Sequence, residues 1–359
     1  MVFGVFFFVL ISDNPSINSD VFVYSMNLCG VNKQDSICPD AKRIFSVERH
    51  GSKMKNFFDG KKALVVINPI SGKRTTKSQL FDIADLFSEG GLETTVYTTR
   101  ARGDAVEIVK RRGGEFDIVV CRGGDGTFHE VVNGIMQLER QPRPMLGYIP
   151  AGSTNDLAKT LCIPVNNNKE AIDTILNGQP LWNDLGLFNG ETHFCYTASF
   201  GAFTDVAYET PQALKNKLGR IAYFVHLPKY AMRLRPLHVN IKTAEGIELE
   251  DNYILVGVTN STSLAGFLKF NRRDVGLNDG RLELLLAKFP KNVPHFVQTL
   301  ERGLARNYRH EEVRLLHTSR VEFTFLNEPP PWTLDGEAAG AHEHVVIENI
   351  HNAVQIFRR

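Results

Sequence analysis

Residues 121–130 read Cys-Arg-Gly-Gly-Asp-Gly-Thr-Phe-His-Glu and follow the apolar run Ile118-Val119-Val120. Three glycines, an acid and a hydroxyl stand where a strand gives way to a helical pattern. Such a turn exposes unpaired backbone N–H groups and the positive end of a helix dipole, a setting that suits an anion, above all phosphate. Glycines let the ligand approach the backbone and permit positive φ. The spacing is neither the G-x-x-x-x-G-K-[ST] loop nor the G-x-G-x-x-G fingerprint. Asp125 would repel phosphate unless it holds a divalent cation or accepts a proton. On pattern alone, a tight turn with Asp125 capping the helix competes with that reading.

Two further loops have the same character. "NPISGK" (68–73) follows the apolar run "KALVVI", and "PAGSTND" (150–156) follows "MLGYI". Between them lie helical patterns at 77–90, 103–112, 127–137 and 155–161, a β-branched strand pattern at "LETTVYTT", and one more helical pattern at "NKEAIDTILNG". Strands alternating with helices over 62–180 predict a doubly wound parallel sheet. All three glycine-bearing turns would then lie beyond the carboxyl ends of its strands, on one edge.

From residue 181 onward the pattern changes. Short alternating runs such as "PLHVNIKT", "RLELLLAKF", "VEFTFLN" and "HVVIENI" are broken by Gly, Asn and Asp turns, which predicts an antiparallel β domain. Helical segments are expected near 211–235 and 292–306. The expected organisation is an ill-ordered extension over 1–60, an α/β nucleotide-binding domain over 61–180, and a β-sandwich-like domain over 181–359. The last segment is free to pack back on the first domain, and a nucleotide cleft lies between the domains. No internal repeat is present.

Composition limits the function classes. Forty-one basic and forty acidic residues in 359 leave a net charge of +1, so no global field argues for a nucleic-acid partner. Five cysteines (29, 38, 121, 162 and 195), odd in number and without a CxxC pair, read as free thiols rather than a disulfide framework or zinc site. The apolar start "MVFGVFFFVLI" is about ten residues, short of the roughly 20 that span a bilayer as a helix. It also lacks a basic n-region, so it is a poor signal peptide.

"GGDGTFHEVVNGI" after "DIVVC" resembles the nucleotide loop of the diacylglycerol kinase catalytic family, whose superfamily also holds sphingosine kinases and, more distantly, NAD kinases and phosphofructokinases. The likeness extends over about 62–359. "VINPISGK" is similar to the family's first phosphate loop, and "GYIPAGSTNDLAKTL" to its G-x-x-P-x-G-[ST]-x-N-D-[FL]-A pattern. "VAYETP", "GLNDGRLEL" and "TLDGEAAG" follow in the family's order. Soluble bacterial lipid kinases of the Gram-positive type resemble the chain most.

That resemblance implies an ATP site lined by Asn68, Pro69, Ile70, Ser71 and Gly72, by Thr99, by Gly124, Asp125, Gly126, Thr127, Phe128, His129 and Glu130, and by Ser153. Asp156 would belong to the same acidic network. It implies Glu337 as general base, and Asp125 as the residue that binds or orients Mg²⁺–ATP, with a base role for Asp125 as the alternative. A second, structural Mg²⁺ would take Asp279 with the carbonyls of Gly276 and Arg281, coupled through water to Asp184. On pattern alone, Asp335-Gly336 and Asn278-Asp279-Gly280 are ordinary hairpin turns.

The expected reaction is ATP-dependent phosphorylation of diacylglycerol to phosphatidate. Another hydroxylated lipid, such as phosphatidylglycerol or a sphingoid base, remains an alternative acceptor, and a non-catalytic lipid- or nucleotide-binding regulator is the alternative of another class. Residues 211–236 carry Lys215, Lys217, Arg220, Lys229, Arg233 and Arg235 among apolar positions and no acid. Such a stretch either lies on an anionic membrane surface or is a solvated helix face. The relatives imply a cytoplasmic enzyme peripheral to the inner face of the cell membrane, and a homodimer.

Overall fold

The computed structural model describes residues 7–10, 22–25, 55–71, 77–139, 142–165, 167–201, 235–264 and 268–359. Gly72 and residues 211–234 of the basic stretch lie outside them. The chain divides into two units, Met1–Phe45 and Ser46–Arg359. In the first, β1 (Phe7–Leu10) pairs antiparallel with β2 (Phe22–Ser25).

The second unit opens with the short helix α1 (Lys55–Phe58) and the strand β3 (Lys62–Ile67), whose last five residues are buried. The helix α2 (Lys77–Glu89) leads to β4 (Glu93–Thr98), and α3 (Asp104–Arg112) leads to β5 (Ile118–Gly123). The helix α4 (Asp125–Met136) returns to β6 (Met145–Pro150). These strands run parallel in the order β4-β3-β5-β6. β3 and β5 are covered on both faces, and their cores Ala63–Ile67 and Ile118–Cys121 read as unbroken apolar runs, as central parallel strands must. β4 is the edge strand, and none of its residues is fully buried.

Sequential strands step one way from β3 to β4 and the other way from β4 to β5. Right-handed crossovers then put α2 on one face and α3 and α4 on the other. α3 packs on α4, and α2 packs on α6 (Asn168–Asn177). The reversal leaves a crevice at the carboxyl ends of β3 and β5, where open α/β sheets bind ligands. Gly113-Gly114 does not end α3 with a left-handed turn. Gly113 has φ −54°, and its N–H still bonds Val109, so the chain passes into a 3-10 turn over Gly113–Glu115. A methyl on Gly113 would come within 3.1 Å of the Val109 side chain and 3.3 Å of Leu138. The glycine serves close packing there.

The short helix α5 (Asp156–Thr160) follows β6. After α6 come β7 (Gln179–Phe188), β8 (Thr192–Phe194), β9 (Thr197–Gly201), β10 (Leu237–Thr243) and β11 (Glu248–Thr259). Two short strands, β12 (Ser263–Leu264) and β13 (Leu268–Lys269), precede β14 (Leu282–Lys288), and the expected helix near 292–306 spans Val293–Leu304. Then follow β15 (Val313–Thr318), β16 (Arg320–Phe325), β17 (Pro331–Leu334), β18 (Glu337–Ala341) and β19 (His344–Arg358). Pairings among these later strands are antiparallel, as the turn-rich alternation predicts. Trp332 fills the core of this half. Phe188, Phe200 and Phe323 surround it at ring-centroid distances of 5.3, 4.6 and 5.2 Å.

β19 joins the two halves into one 15-stranded sheet. It pairs antiparallel with β16 and β7, then parallel with β6 at Ile356 and Leu146. Among the described residues, no helix is long and apolar enough to cross a membrane.

Candidate active site

The three glycine loops meet in the crevice between β3 and β5. The Asn68 amide N–H donates to the Arg122 carbonyl at 2.9 Å, and Asn68 Nδ2 donates to Thr127 Oγ1 at 3.0 Å. Asn68 Oδ1 accepts from the Ile70 amide, and Ser71 Oγ donates to the Asn68 carbonyl. Asn68 thus shapes its own turn, which leads through Pro69, and ties it to the neighbouring loop. Thr99 is held at the same edge by its N–H and hydroxyl, both donated to the Ile67 carbonyl.

Gly124 and Gly152 touch backbone to backbone. A methyl on Gly152 would lie 2.6 Å from Gly124 Cα and 2.8 Å from Asn155 Oδ1. Asn155 has φ 48° and exchanges two hydrogen bonds with the Gly152 peptide groups. Nothing at this contact can yield without moving backbone. Gly152→Ala is expected to lower stability by about 1–3 kcal/mol and to weaken nucleotide binding. Urea unfolding and calorimetric titration read the two effects.

Asp125 does not cap α4. Gly124 occupies that place, and no side chain caps the helix. The Asp125 carboxylate turns instead to the third loop, where Oδ2 accepts from the Asp156 amide and from Thr154 Oγ1, both at 3.1 Å. Tyr148 donates its hydroxyl to Oδ1 at 3.4 Å. Burial is the largest influence on this carboxyl and raises its pKa. The charges of Asp156 and Asp335 add to the rise, against the lowering effect of the two hydrogen bonds. A carboxylate kept this dry beside other acids favours a proton or a cation.

Glu337 arrives from the other half of the chain. β17 and β18 form a hairpin whose two-residue turn, Asp335-Gly336, has φ of 50° and 84°, as a type I′ turn requires. The hairpin tip is not merely solvated. Glu337 Oε1 lies over Gly126, where a methyl would come within 2.8 Å. Its Oε2 bonds Arg102 Nη2 at 2.5 Å. Glu337 therefore lies at Gly126, the residue next to Asp125 at the start of α4.

Asp335 clasps the hairpin to the rest of the site. Its buried carboxylate accepts the amides of Cys195, Tyr196 and Thr197 at 2.7, 2.9 and 3.0 Å. It also holds His129 Nδ1 at 2.9 Å. Burial works to lower the His129 pKa, but Asp335, with Glu337 and Glu130, outweighs it and leaves the pKa raised. A histidine raised in the folded state contributes its full stability below the unfolded value near 6.5 and loses it as pH rises through the folded value. Asp335→Asn is expected to cost about 1–3 kcal/mol and to pull the His129 titration down, as followed by histidine NMR.

The remaining lining positions divide. Glu130 faces α3, where it accepts the amides of Gly103 and Ala105. Phe128 is fully buried against Tyr148, with ring centroids 4.5 Å apart. Ser153 is exposed on the third loop, and Asp156 pairs with Lys159 at 3.1 Å. Sequence reasoning passed over Arg102, Tyr148, Thr154 and Asp335. Only Asp335 had a signal, its place beside Glu337, and the ordinary look of Asp-Gly masked it. Cys121 and Cys195 are buried free thiols whose pKa burial pushes well up, whereas Cys162 Sγ accepts from Arg272 Nη1 at 3.0 Å.

The loop around Asp279 forms a second acidic region. It is not a hairpin turn, because it feeds β14 from a 3-10 turn at Arg272–Asp274. Asp184 is fully buried and saturated. It accepts the amides of Gly280 and Asn352 at 2.8 and 2.7 Å, with Asn349 Nδ2 and His351 Nδ1 also in contact. Asp279 Oδ1 accepts the Arg281 amide at 3.0 Å, and its Oδ2 lies over Gly276. Glu283 beside them is buried with neither carboxyl oxygen paired. Burial foremost pushes its pKa well up, and the charges of Asp279 and Asp184 add to the rise against the lowering pull of the Glu283 and Gly276 backbone. Among the described residues, no three His, Cys, Asp or Glu side chains gather to hold a metal. One carboxylate with loop carbonyls, beside an orphaned acid, fits a hydrated hard cation instead.

Residues 62–187 match the diacylglycerol kinase catalytic domain. The chain is 35% identical over 283 residues to the diacylglycerol kinase of Bacillus subtilis (strain 168), which covers 78% of this chain and 91% of that relative. It is 33% identical over 284 residues to the diacylglycerol kinase of Staphylococcus epidermidis (strain ATCC 12228 / FDA PCI 1200), covering 78% and 87%. Among solved structures, a diacylglycerol kinase from Bacillus anthracis str. Sterne superposes with a TM-score of 0.67 at 25% identity, covering 83% of this chain and 97% of that one.

Proposed function

This chain belongs to the diacylglycerol kinase family, and we propose that it transfers the terminal phosphoryl group of ATP to the free hydroxyl of diacylglycerol at a membrane surface. The observation that carries this reading is Glu337 lying against Gly126, one residue beyond Asp125, above the glycine loops. A carboxylate with hydrogen-bond reach into a phosphate cradle is what a hydroxyl acceptor needs.

In this mechanism the backbone N–H groups of Gly124 to Thr127, Asn68 and the α4 dipole hold the phosphates in line. Glu337 accepts the proton of the lipid hydroxyl. The lipid oxygen bonds to the γ-phosphorus as the bridge to the β-phosphate breaks, which leaves ADP and phosphatidate. Asp125 would hold Mg²⁺ at the nucleotide, where the ion would supply charge neutralisation for the phosphates. Asp335 and His129 keep the hairpin and α4 in register, so that base and cradle stay aligned. Asp279, with the carbonyls of Gly276 and Arg281, would hold a second, structural Mg²⁺, and Asp184 would brace that loop.

Phosphate transfer from labelled ATP to lipids in mixed micelles tests the reading. Diacylglycerol is expected to be the preferred acceptor over phosphatidylglycerol and a sphingoid base. Preference for either of those would reassign the substrate, and transfer to none would remove the kinase reading. For the structural ion, Mg²⁺ is expected to raise the melting temperature of the wild type, by the equivalent of about 2.7 kcal/mol at a hundredfold excess over Kd. Asp279→Asn should lose that response, as scanning calorimetry would show.

A further inference from the structure

Arg102 makes a contact that the reaction, as described, does not use. Its backbone is fixed from several sides. Thr99 is tied to the end of β3, the Arg100 amide donates to Asp104 Oδ2 at 2.7 Å, and the Gly103 and Ala105 amides donate to Glu130. Only the side chain is free to swing, and it is 75% exposed. From this fixed stem the guanidinium reaches across 235 sequence positions to Glu337 Oε2.

That partner is the group that must take a proton. The guanidinium holds Oε2 while Oε1 lies over Gly126, so the carboxylate is committed to the arginine through one oxygen. The pair is also easily parted, since exposed ion pairs hold weakly. A guanidinium recognises phosphate with the same fork that it offers a carboxylate. The described surroundings are rich in acids (Asp125, Asp156, Asp335, Glu130), while Lys159 and His129 already pair with Asp156 and Asp335. A triphosphate entering above Gly126 therefore meets Arg102 at its outer end.

The geometry points to Arg102 as a phosphate ligand that leaves Glu337 for the terminal phosphate of the bound nucleoside triphosphate, so that nucleotide arrival frees the base. The inference rests on the reading of the glycine loops as the phosphate cradle and of Glu337 as the base. It adds an in-cis arginine to the charge stabilisation that phosphoryl transfer demands.

Binding of ATP and of ADP, each with Mg²⁺, is measured by calorimetric titration on wild type, Arg102→Ala, Arg102→Lys and Glu337→Gln, with melting temperatures as a check on folding. Arg102→Ala is expected to weaken ATP roughly tenfold or more and ADP less than twofold, with kcat down about 10²- to 10³-fold, as for the loss of one charge-stabilising donor. Arg102→Lys should restore part of both. Glu337→Gln, with its competing charge gone, should bind ATP more tightly than wild type. Equal losses for ATP and ADP, or no loss for either, would overturn the assignment. The binding readouts need no turnover, so a failure of Glu337 as base would appear separately, as an active Glu337→Gln enzyme.

Discussion

Glu337→Gln is expected to lower kcat by about 10³-fold or more, within the range that a positioned base supplies, while the fold and nucleotide binding persist. The side chain is 38% exposed and sits at a hairpin tip whose stability rests on Asp335 and the β17–β18 ladder. Glutamine keeps the volume and the contact over Gly126 but cannot accept the hydroxyl proton. The loss should fall on kcat and on kcat/KM alike, because the interaction is made only as the proton leaves. Steady-state transfer to diacylglycerol checks the prediction, and activity within tenfold of wild type would remove Glu337 from the chemistry.

Asp125→Asn is expected to abolish transfer to a similar extent and, in the nucleotide-free protein, to raise the melting temperature at neutral pH. The reason lies in the direction of its pKa. Burial and neighbouring acids raise the folded value above the ordinary 3.8. Between 3.8 and the folded value the native state binds the proton more tightly than the unfolded chain. Stability therefore falls as pH rises through that window, and above it the ionised group burdens the fold. Asparagine keeps a carbonyl oxygen for the Asp156 amide and removes the charge. Stabilisation by Mg²⁺–ATP should shrink in the variant, as the proposed role of Asp125 at the ion requires. Calorimetry with and without Mg²⁺–ATP reads both effects, and a less stable nucleotide-free variant would show that the carboxylate is held for structure. Such a gain in stability with lost function is common where sites keep strained charges.

Much of this site could be read from short stretches of chain. "KALVVINP", "DIVVCRGGDG" and "GYIPAG" each place glycine or proline directly after an apolar strand pattern, and the right-handed crossover rule gathers their ends on one edge. The hairpin at Asp335-Gly336 was legible for the same reason, since both positions need positive φ. Other features were not. Glu130 lies in the glycine-loop stretch yet spends its carboxylate on α3, and Phe128 turns into the core. Thr154, in a variable place of its motif, bonds Asp125 where Ser153 was expected to matter. Arg102 carries no local signal at all.

What the sequence by itself determined about this protein is therefore backbone: which runs become strands, where glycine opens a turn, and which edge collects the turns. Those outcomes depend on neighbours within a few positions, through periodicity and allowed φ. Only the tertiary structure decided which charges meet. Asp125 with Thr154, His129 with Asp335 and Arg102 with Glu337 are separated by 29, 206 and 235 positions. Their partnership exists because β19 closes the β half onto β6 and so brings the hairpin over α4. A side chain at the end of a turn has no local constraint on its partner, and the sheet that joins both halves supplies one.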